Sequence, residues 1–267
     1  MKLTESHLIS FVMCVFVGLM LIMVVFNINP YSISQWWNRQ IKKECDFQDA
    51  TPEGPSGLFD AWDAPNRTIK DLHYQIVSNH DIIKTEIMTA LENYEGIPMN
   101  EFDPVQQKWL KNENRWKPLW IKFMGKFAES SNLIPTLKKI TSMFDDITIL
   151  HVSVFGPGTV LPRHFGVSRA VHRYHYGISI PVGDVGLEID GHIIKWKEGE
   201  GIVWDDTLPH SAWNRTDSVR IIIFADIYRD LSTMKRFGSK LIYKIAESSN
   251  HVKTIQNKLD NEYSTRS

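Results

Sequence analysis

The chain has 267 residues, a formal net charge of −1 and 43% hydrophobic residues. That is room for one sizeable domain with appendages, and it is too apolar for an intrinsically disordered chain. The balanced charge excludes a dedicated nucleic-acid binder, which carries a marked basic excess. Of the two cysteines, Cys14 falls in an apolar N-terminal run, so Cys45 has no disulfide partner in the rest of the chain.

In chain order, the first element is LISFVMCVFVGLMLIMVVF, Leu8 to Phe26, uncharged and apolar apart from Ser10. As a helix it covers roughly 28 Å, close to the hydrocarbon thickness of a bilayer. A signal peptide has a shorter apolar core followed by small residues at a cleavage site; here NINPYSISQWW follows. Residues 1–28 are therefore expected to form a retained single-pass transmembrane anchor, with Tyr31, Trp36 and Trp37 at the interface. Arg39, Lys42 and Lys43 follow the run, whereas Lys2 and the α-amino group before it are offset by Glu5. The positive-inside rule then places the bulk of the chain in the cytosol. The sequons at Asn66 and Asn214 matter only on the other side.

Residues 29–70, rich in Pro, Gly and Asp beyond residue 44, are expected as a juxtamembrane linker. Ile69 to Tyr94 fits helices, with Ile83, Ile87 and Leu91 at four-residue spacing, and Pro135 to Phe144 is a further helix with Pro in its first turn. Between them QKWLKNENRWKPLWIKFMGK reads as short strands with a solvated basic face. From Ile147 the pattern becomes strands: ITILHVSVF, HRYHYGISIPV, GLEID, HIIKW, GIVWD and VRIIIFADIY. Asp190-Gly191 is a hairpin signal. Strands this frequent predict a mainly β sandwich or barrel over residues 71–230 with helices at its start. The tail, 231–267, reads as helical, then polar and frayed.

Along RYHYGIS, Arg173, His175, Gly177 and Ser179 share one face, and Tyr174, Tyr176 and Ile178 the other. Arg220 enters a nearly all-apolar strand, where a charge requires a partner. Two readings stand: an arginine reaching solvent at the strand mouth, or a clamp for a carboxylate ligand. His164 and His210 each end a loop that leaves a strand, and two such histidines can converge on a metal. His172 reads as a surface residue, His151 as a strand residue, and Trp204 and Trp213 as packing. Asp205 or Asp206 can support His210 or a water, or cap the turn.

The stretch SVFGPGTVLPRHFG … RYHYGISIPV … GLEIDGHIIKWKEGEGIVWDDTLPHSAWNRTDSVRIIIFADIYRD resembles the aspartyl/asparaginyl β-hydroxylase family, and NRWKPLWIKFMGK upstream resembles the bacterial lipid A acyl-chain hydroxylases of that family. The resemblance implies a double-stranded β-helix (jelly-roll) and an iron(II)- and 2-oxoglutarate-dependent dioxygenase that consumes O2. By motif it implies His164 and His210 as iron ligands and Arg220 as the clamp on the distal carboxylate of 2-oxoglutarate. It also implies Arg173, His175 and Ser153 as contacts of the co-substrate or the metal-proximal region. Gly166 stands where two-histidine, one-carboxylate members carry the carboxylate; the lipid A hydroxylases have one there, and some β-hydroxylases do not. The substrate is open between a protein Asp/Asn side chain, a lipid acyl chain and a small molecule. Two other classes compete: a membrane-tethered, non-catalytic jelly-roll module, and a zinc hydrolase using Asp205 or Asp206 as base. Only the oxygenase makes succinate.

Overall fold

A computed structural model describes residues 30–50, 57–92, 94, 96–102, 110 and 115–264. The expected anchor, residues 1–28, lies outside the described residues. Among those described, no helix is long and apolar enough to cross a membrane.

Three accessory strands come first: β1 (Leu58–Asp60), β2 (Trp116–Phe123) and β3 (Lys126–Phe127). The next eight are β4 (Ile147–Phe155), β5 (Thr159–His164), β6 (Val171–Ser179), β7 (Val185–Ile189), β8 (His192–Ile194), β9 (Gly201–Trp204), β10 (His210–Asn214) and β11 (Arg220–Tyr228). One sheet runs β1-β9-β6-β11-β4-β2-β3 and the other β5-β10-β7-β8. The chain crosses between the sheets after β4, β5, β6, β8, β9 and β10, with antiparallel pairing throughout the named strands. This is the winding of a jelly-roll. Asp190 and Gly191 both have positive φ, 47° and 87°. They form the two-residue turn between paired Ile189 and His192, as a type I′ hairpin requires.

Seven helices surround the sheets among the described residues: α1 (Pro30–Asp49), α2 (Arg67–Ser78), α3 (His80–Glu92), α4 (Met99–Phe102), α5 (Pro135–Thr141), α6 (Thr233–Glu247) and α7 (Asn250–Ser264). The large sheet is covered on both faces, which is why β11 reads as a continuous apolar run. Ile221, Ile223, Ala225 and Ile227 of β11, with Tyr174, Tyr176 and Ile178 of β6, pack under α2, α3 and α5. The buried Tyr174 and Tyr176 hydroxyls are hydrogen-bonded to Nδ1 of His73 and His80, each at 2.9 Å. Between the sheets a second core collects Phe155, Leu187, Trp204, Ala212 and Ile222.

The folded body extends past the expected linker. Ile33, Trp37, Ile41 and Cys45 recur every four residues and form a buried face of α1, the last three packing against Ala170 and Leu231. Trp37, expected at a membrane interface, is buried, and its Nε1 donates to Ser239 Oγ of α6 at 2.8 Å. The tail is not frayed over α7, where Ile255 and Leu259 are buried in the inter-sheet core. Within the basic aromatic stretch β2 is largely covered rather than solvated: it pairs with β4, and Lys122 is buried with Nζ donating to the Phe144 carbonyl. Both sequon asparagines are buried and bond backbone carbonyls through Nδ2, Asn66 to Tyr228 and Asn214 to Phe155. Neither can carry a glycan in the folded chain.

His172 is also not a surface residue. It is fully buried at 3.1 Å from Asp49 Oδ1 through Nε2. Asp49, the last residue of α1, is paired with Arg229 at 2.5 Å. Arg229 also reaches Asp205 Oδ2 at 3.1 Å. Burial together with the His172 and Arg229 contacts is resolved in favour of the cations, and the Asp49 carboxyl lies well below the ordinary range. Removing one partner of a buried ion network leaves uncompensated charge. Arg229→Met is therefore expected to lower unfolding free energy by about 3–5 kcal/mol, read from urea denaturation; a loss below about 1 kcal/mol would mean the network does not hold α1 down.

Two buried histidines make stability depend on pH. Burial pushes His151 to about 3, and burial with the neighbouring Arg229 pushes His172 to about 4, from an ordinary value of 6.5. Between these limits the unfolded chain binds protons that the folded chain does not. Stability therefore falls as pH drops from about 6.5 toward 4. His151→Phe is expected to flatten the melting profile there by about 1.4 kcal/mol per pH unit. An unchanged slope in the variant would show that His151 is protonated in the fold.

Candidate active site

Strands β5 and β10 pair so that His210 lies opposite His164, Ala212 opposite Leu161 and Asn214 opposite Thr159. The step from His210 to Ala212 spans two residues, and that from His164 to Leu161 spans three. Strict alternation would send Leu161 and His164 to opposite faces; the additional residue turns His164 inward with Leu161. The two imidazoles lie 4.2 Å apart, centroid to centroid.

Each ring is fixed by its own strand. Nδ1 of His164 donates to the Pro162 carbonyl and Nδ1 of His210 to the Leu208 carbonyl, both at 2.8 Å. A carbonyl only accepts, so the proton is on Nδ1 and Nε2 keeps its lone pair. Burial lowers both pKa values; His210, which also feels His164 and Arg173, is pushed down to about 3. Both rings are thus neutral at pH 7, the form that ligates iron, zinc or copper. Among the described residues no third His, Cys, Asp or Glu joins them in a three-ligand cluster.

A carboxylate does stand beside the pair. Asp206 Oδ1 is 4.0 Å from His210 Nε2. Arg173 holds Asp206 at 2.8–2.9 Å and grips Asp226 through Nε and Nη2 at 2.9 and 3.0 Å. The Arg173 guanidinium also lies 4.4 Å above the Phe224 ring. Burial raises both carboxyl pKa values against the pull of Arg173. Gly166 makes room for this arrangement. Its N–H donates to the Asp206 carbonyl at 2.8 Å, and a Cβ added there would lie 1.9 Å from Asp206 Oδ2. Asp205 has a separate role: it accepts from Thr207 N and Oγ1 at 2.9 and 2.7 Å and pairs with Arg169 and Arg229, which builds the turn before β10.

On the same face of the large sheet lies Arg220, 1% exposed and, among the described residues, with no acidic partner. It does not reach solvent at the strand mouth. Its guanidinium carbon is 3.6 Å from the Phe155 centroid and 4.7 Å from that of Trp196. Nη2 reaches Ser153 Oγ at 3.5 Å, while Nε and Nη1 have no hydrogen-bond partner. Burial alone pushes this guanidinium well below its ordinary pKa. Ser153 Oγ also accepts from Trp116 Nε1 at 3.0 Å. His175 Nδ1 accepts from Trp196 Nε1 at 3.3 Å, which places its proton on Nε2, and Nε2 has no partner. Unpaired buried donors of this kind call for a ligand. Together these groups form a cradle for an anion with several oxygens.

The fold therefore brings His164 with His210, and Arg220 with Ser153. Arg173 meets the histidine pair through Asp206. His175 joins the two groups through Trp204, whose ring is 4.4 Å from His175 and 6.2 Å from His210. Trp204 is fully buried with Nε1 unpaired, so it lines the site and is not packing alone. His151 stacks on Phe224 at 4.3 Å and belongs to the same wall. Its position two residues before Ser153 on one strand was the available signal. Trp213 points away, donating to Asp184 at 2.6 Å on the outer face.

The sequence profile of the aspartyl/asparaginyl β-hydroxylase family matches residues 77–230. An ornithine lipid ester-linked acyl 2-hydroxylase of Rhizobium tropici is 26% identical over 175 residues, 64% of this chain and 62% of that protein. The aspartyl/asparaginyl β-hydroxylase of Mus musculus is 24% identical over 181 residues, 62% of this chain and 23% of that protein. The chain thus spans less than two thirds of the length of these relatives. Among solved structures, a DMSP lyase from Ruegeria pomeroyi aligns at 15% identity with a TM-score of 0.31, covering 46% of this chain and 51% of that one. The family match takes in more than half of the chain and every strand that carries these site residues, and the chain belongs to the aspartyl/asparaginyl β-hydroxylase family.

Proposed function

We propose that this hydroxylase depends on iron(II) and 2-oxoglutarate, and that residues 8–26 tether it to a membrane with the catalytic domain on the cytosolic side. Its substrate is a lipid acyl chain or a protein Asp/Asn side chain. The observation that carries the co-substrate is Arg220: a buried guanidinium without a counter-ion, two of its nitrogens unpaired. Such a burial costs several kcal/mol, and a carboxylate docked on those nitrogens offsets that cost with charge-assisted hydrogen bonds. The non-catalytic module has no use for a charge kept in this state.

The donor set fits the implied pair of ligands. His164 and His210 offer Nε2 lone pairs on neutral rings, suited to ferrous iron. Arg220 and Ser153 suit the distal carboxylate of 2-oxoglutarate, and the His175 Nε2–H and the Trp204 Nε1–H suit its remaining oxygens. When bound, the iron and co-substrate supply the oxygen chemistry that hydroxylates an unactivated C–H, with 2-oxoglutarate leaving as succinate and carbon dioxide. The chain's own residues do the rest. The Pro162 and Leu208 carbonyls fix the ring tautomers. Arg173 holds the Asp206 carboxylate beside the pair, adding negative charge without the side chain at position 166 that other members use. Buried Trp204 and half-buried Phe224 keep water from the cradle.

Arg220→Met tests the clamp with two readouts. Loss of a charge-assisted contact of about 3 kcal/mol raises the KM for 2-oxoglutarate about 100-fold in succinate formation. The ligand-free variant is expected to melt no lower than wild type, since an unpaired buried charge has gone. Added 2-oxoglutarate no longer raises its Tm. A variant that is destabilised yet still stabilised by 2-oxoglutarate would show that Arg220 is a structural cation.

Gly166→Ala tests the placement of Asp206. The new Cβ falls on the Asp206 carboxylate, so the acid must leave Arg173. Overpacking of this kind is expected to lower stability by about 1–3 kcal/mol and to weaken cobalt(II) binding, monitored by its visible spectrum. Unchanged stability and cobalt spectrum would mean that Asp206 is free to move and does not shape the site.

A further inference from the structure

We propose that the loop joining β5 to β6 dips into a lipid bilayer, so that the mouth of the candidate site opens onto the membrane surface. The proposal rests on the reading of residues 8–26 as an anchor and adds where the folded body meets the lipid. The loop begins directly after His164. Phe165 and Val167, on either side of Gly166, are 57% and 53% exposed. Two large apolar side chains left in water directly after His164 are candidates for a contact surface.

The placement of α1 identifies the partner as lipid. Ser34 Oγ and Asn38 Nδ2 both donate to the Val167 carbonyl, at 2.6 and 2.9 Å. Asn38 Oδ1 accepts from the Arg169 N–H at 2.9 Å. The loop is therefore fastened to the first half of α1. The uncharged run ends at Phe26 and α1 begins at Pro30. That interval spans at most about 14 Å of extended chain, and Pro30 to Ser34 adds about 6 Å along the helix. Phe165 and Val167 thus lie within roughly 20 Å of the point where the apolar run stops, at the end of α1 that approaches the membrane. Apolar side chains at such a depth settle among headgroups and upper acyl carbons.

The opposite end of β6 supplies a control. Val182, fully exposed between β6 and β7, is separated from the loop by the nine residues of β6, roughly 30 Å of strand. Pointing the β5–β6 loop at the bilayer points Val182 away from it.

The test uses the full chain with Cys14→Ser, since Cys45 is buried and unreactive to label. Single cysteines at Phe165→Cys, Val167→Cys or Val182→Cys carry an environment-sensitive fluorophore. The protein is reconstituted into vesicles of phosphatidylethanolamine and phosphatidylglycerol containing a nitroxide lipid. The expected result is that every variant sediments with the vesicles and that quenching at 165 and 167 exceeds quenching at 182 several-fold. If the chain sediments but 165 and 167 are quenched no more than 182, the docking loop is overturned and the anchor stands. If the chain stays in the supernatant, the anchor reading fails and takes the proposal with it. Two labelled positions in the loop guard against one substitution disturbing the fold.

Discussion

Two arginines face one site; Arg173 is paired with acids and, among the described residues, Arg220 is not, and this difference organises the site. Arg173 is clamped between Asp206 and Asp226. Arg220 has aromatic faces for company and no acid. With His151, His175 and His210 held neutral by burial, the two guanidinium charges balance the two carboxylates over the cavity as a whole but not locally. A low-dielectric interior penalises that separation. A divalent cation by the Asp206 end and a dicarboxylate at the Arg220 end would add equal and opposite charge. The loaded cavity stays neutral overall, and each end gains the counter-ion it lacks. This accounts for an arginine remaining unpaired inside a well-packed barrel, where an apolar residue of the same volume would be more stable.

The acidic dipeptide before His210 divides its work along the same line. Asp206 faces the cavity. Asp205 faces the other way, into the network of Arg169, Arg229, Asp49 and His172. Asp49 closes α1, and the Gly57 N–H donates to its carbonyl at 2.8 Å, while the Asp205 N–H donates to the Gly57 carbonyl at 2.9 Å. One hydrogen-bonded path therefore runs from the end of α1 to the turn that carries Asp206 and His210. The position of α1 and the geometry of the histidine pair are linked through backbone and buried charge, so the N-terminal helix is part of the site's support.

What the sequence made legible follows from how local the signal was. Six of the eight strands from Ile147 to Tyr228, the Asp190-Gly191 hairpin and the polar face of β6 depend on neighbours in the chain, and they were readable; β5 and β10, short and interrupted by Pro or preceded by a turn, read as loops. His164 and His210 were readable as a pair only through matching motifs, because their approach depends on a one-residue bulge in β5 that alternation does not reveal. Asp205 and Asp206 could not be told apart, since adjacent acids before His210 read alike and their partners Arg169, Arg229 and Arg173 come from elsewhere in the chain. The packed helix Pro30–Asp49 was not foreseen within the expected linker, for a different reason. Ile33, Trp37, Ile41 and Cys45 carry a clear four-residue repeat, but the apolar run beside it drew Trp37 toward the membrane. His172 and Lys122 looked exposed because a polar residue in a strand usually is; their partners, Asp49 and the Phe144 carbonyl, are contributed by distant or intervening segments.

Gly166 connects these observations. In members with a carboxylate two residues after the first histidine, the loop itself contributes to the metal shell. Here the loop has no side chain at that position, and the Asp206 carboxylate occupies the space that a side chain would take. The loop is instead held by its backbone on both sides: the Gly166 N–H on the Asp206 carbonyl, and the Val167 carbonyl on Ser34 and Asn38. Backbone tethering leaves the side chains of Phe165 and Val167 unengaged and pointed at solvent. The loop's path is thus set by its main chain and not by its side chains. A segment next to the reacting centre can then carry an apolar surface without exposing the histidine pair to water, because its path is set by hydrogen bonds that do not depend on what those side chains touch.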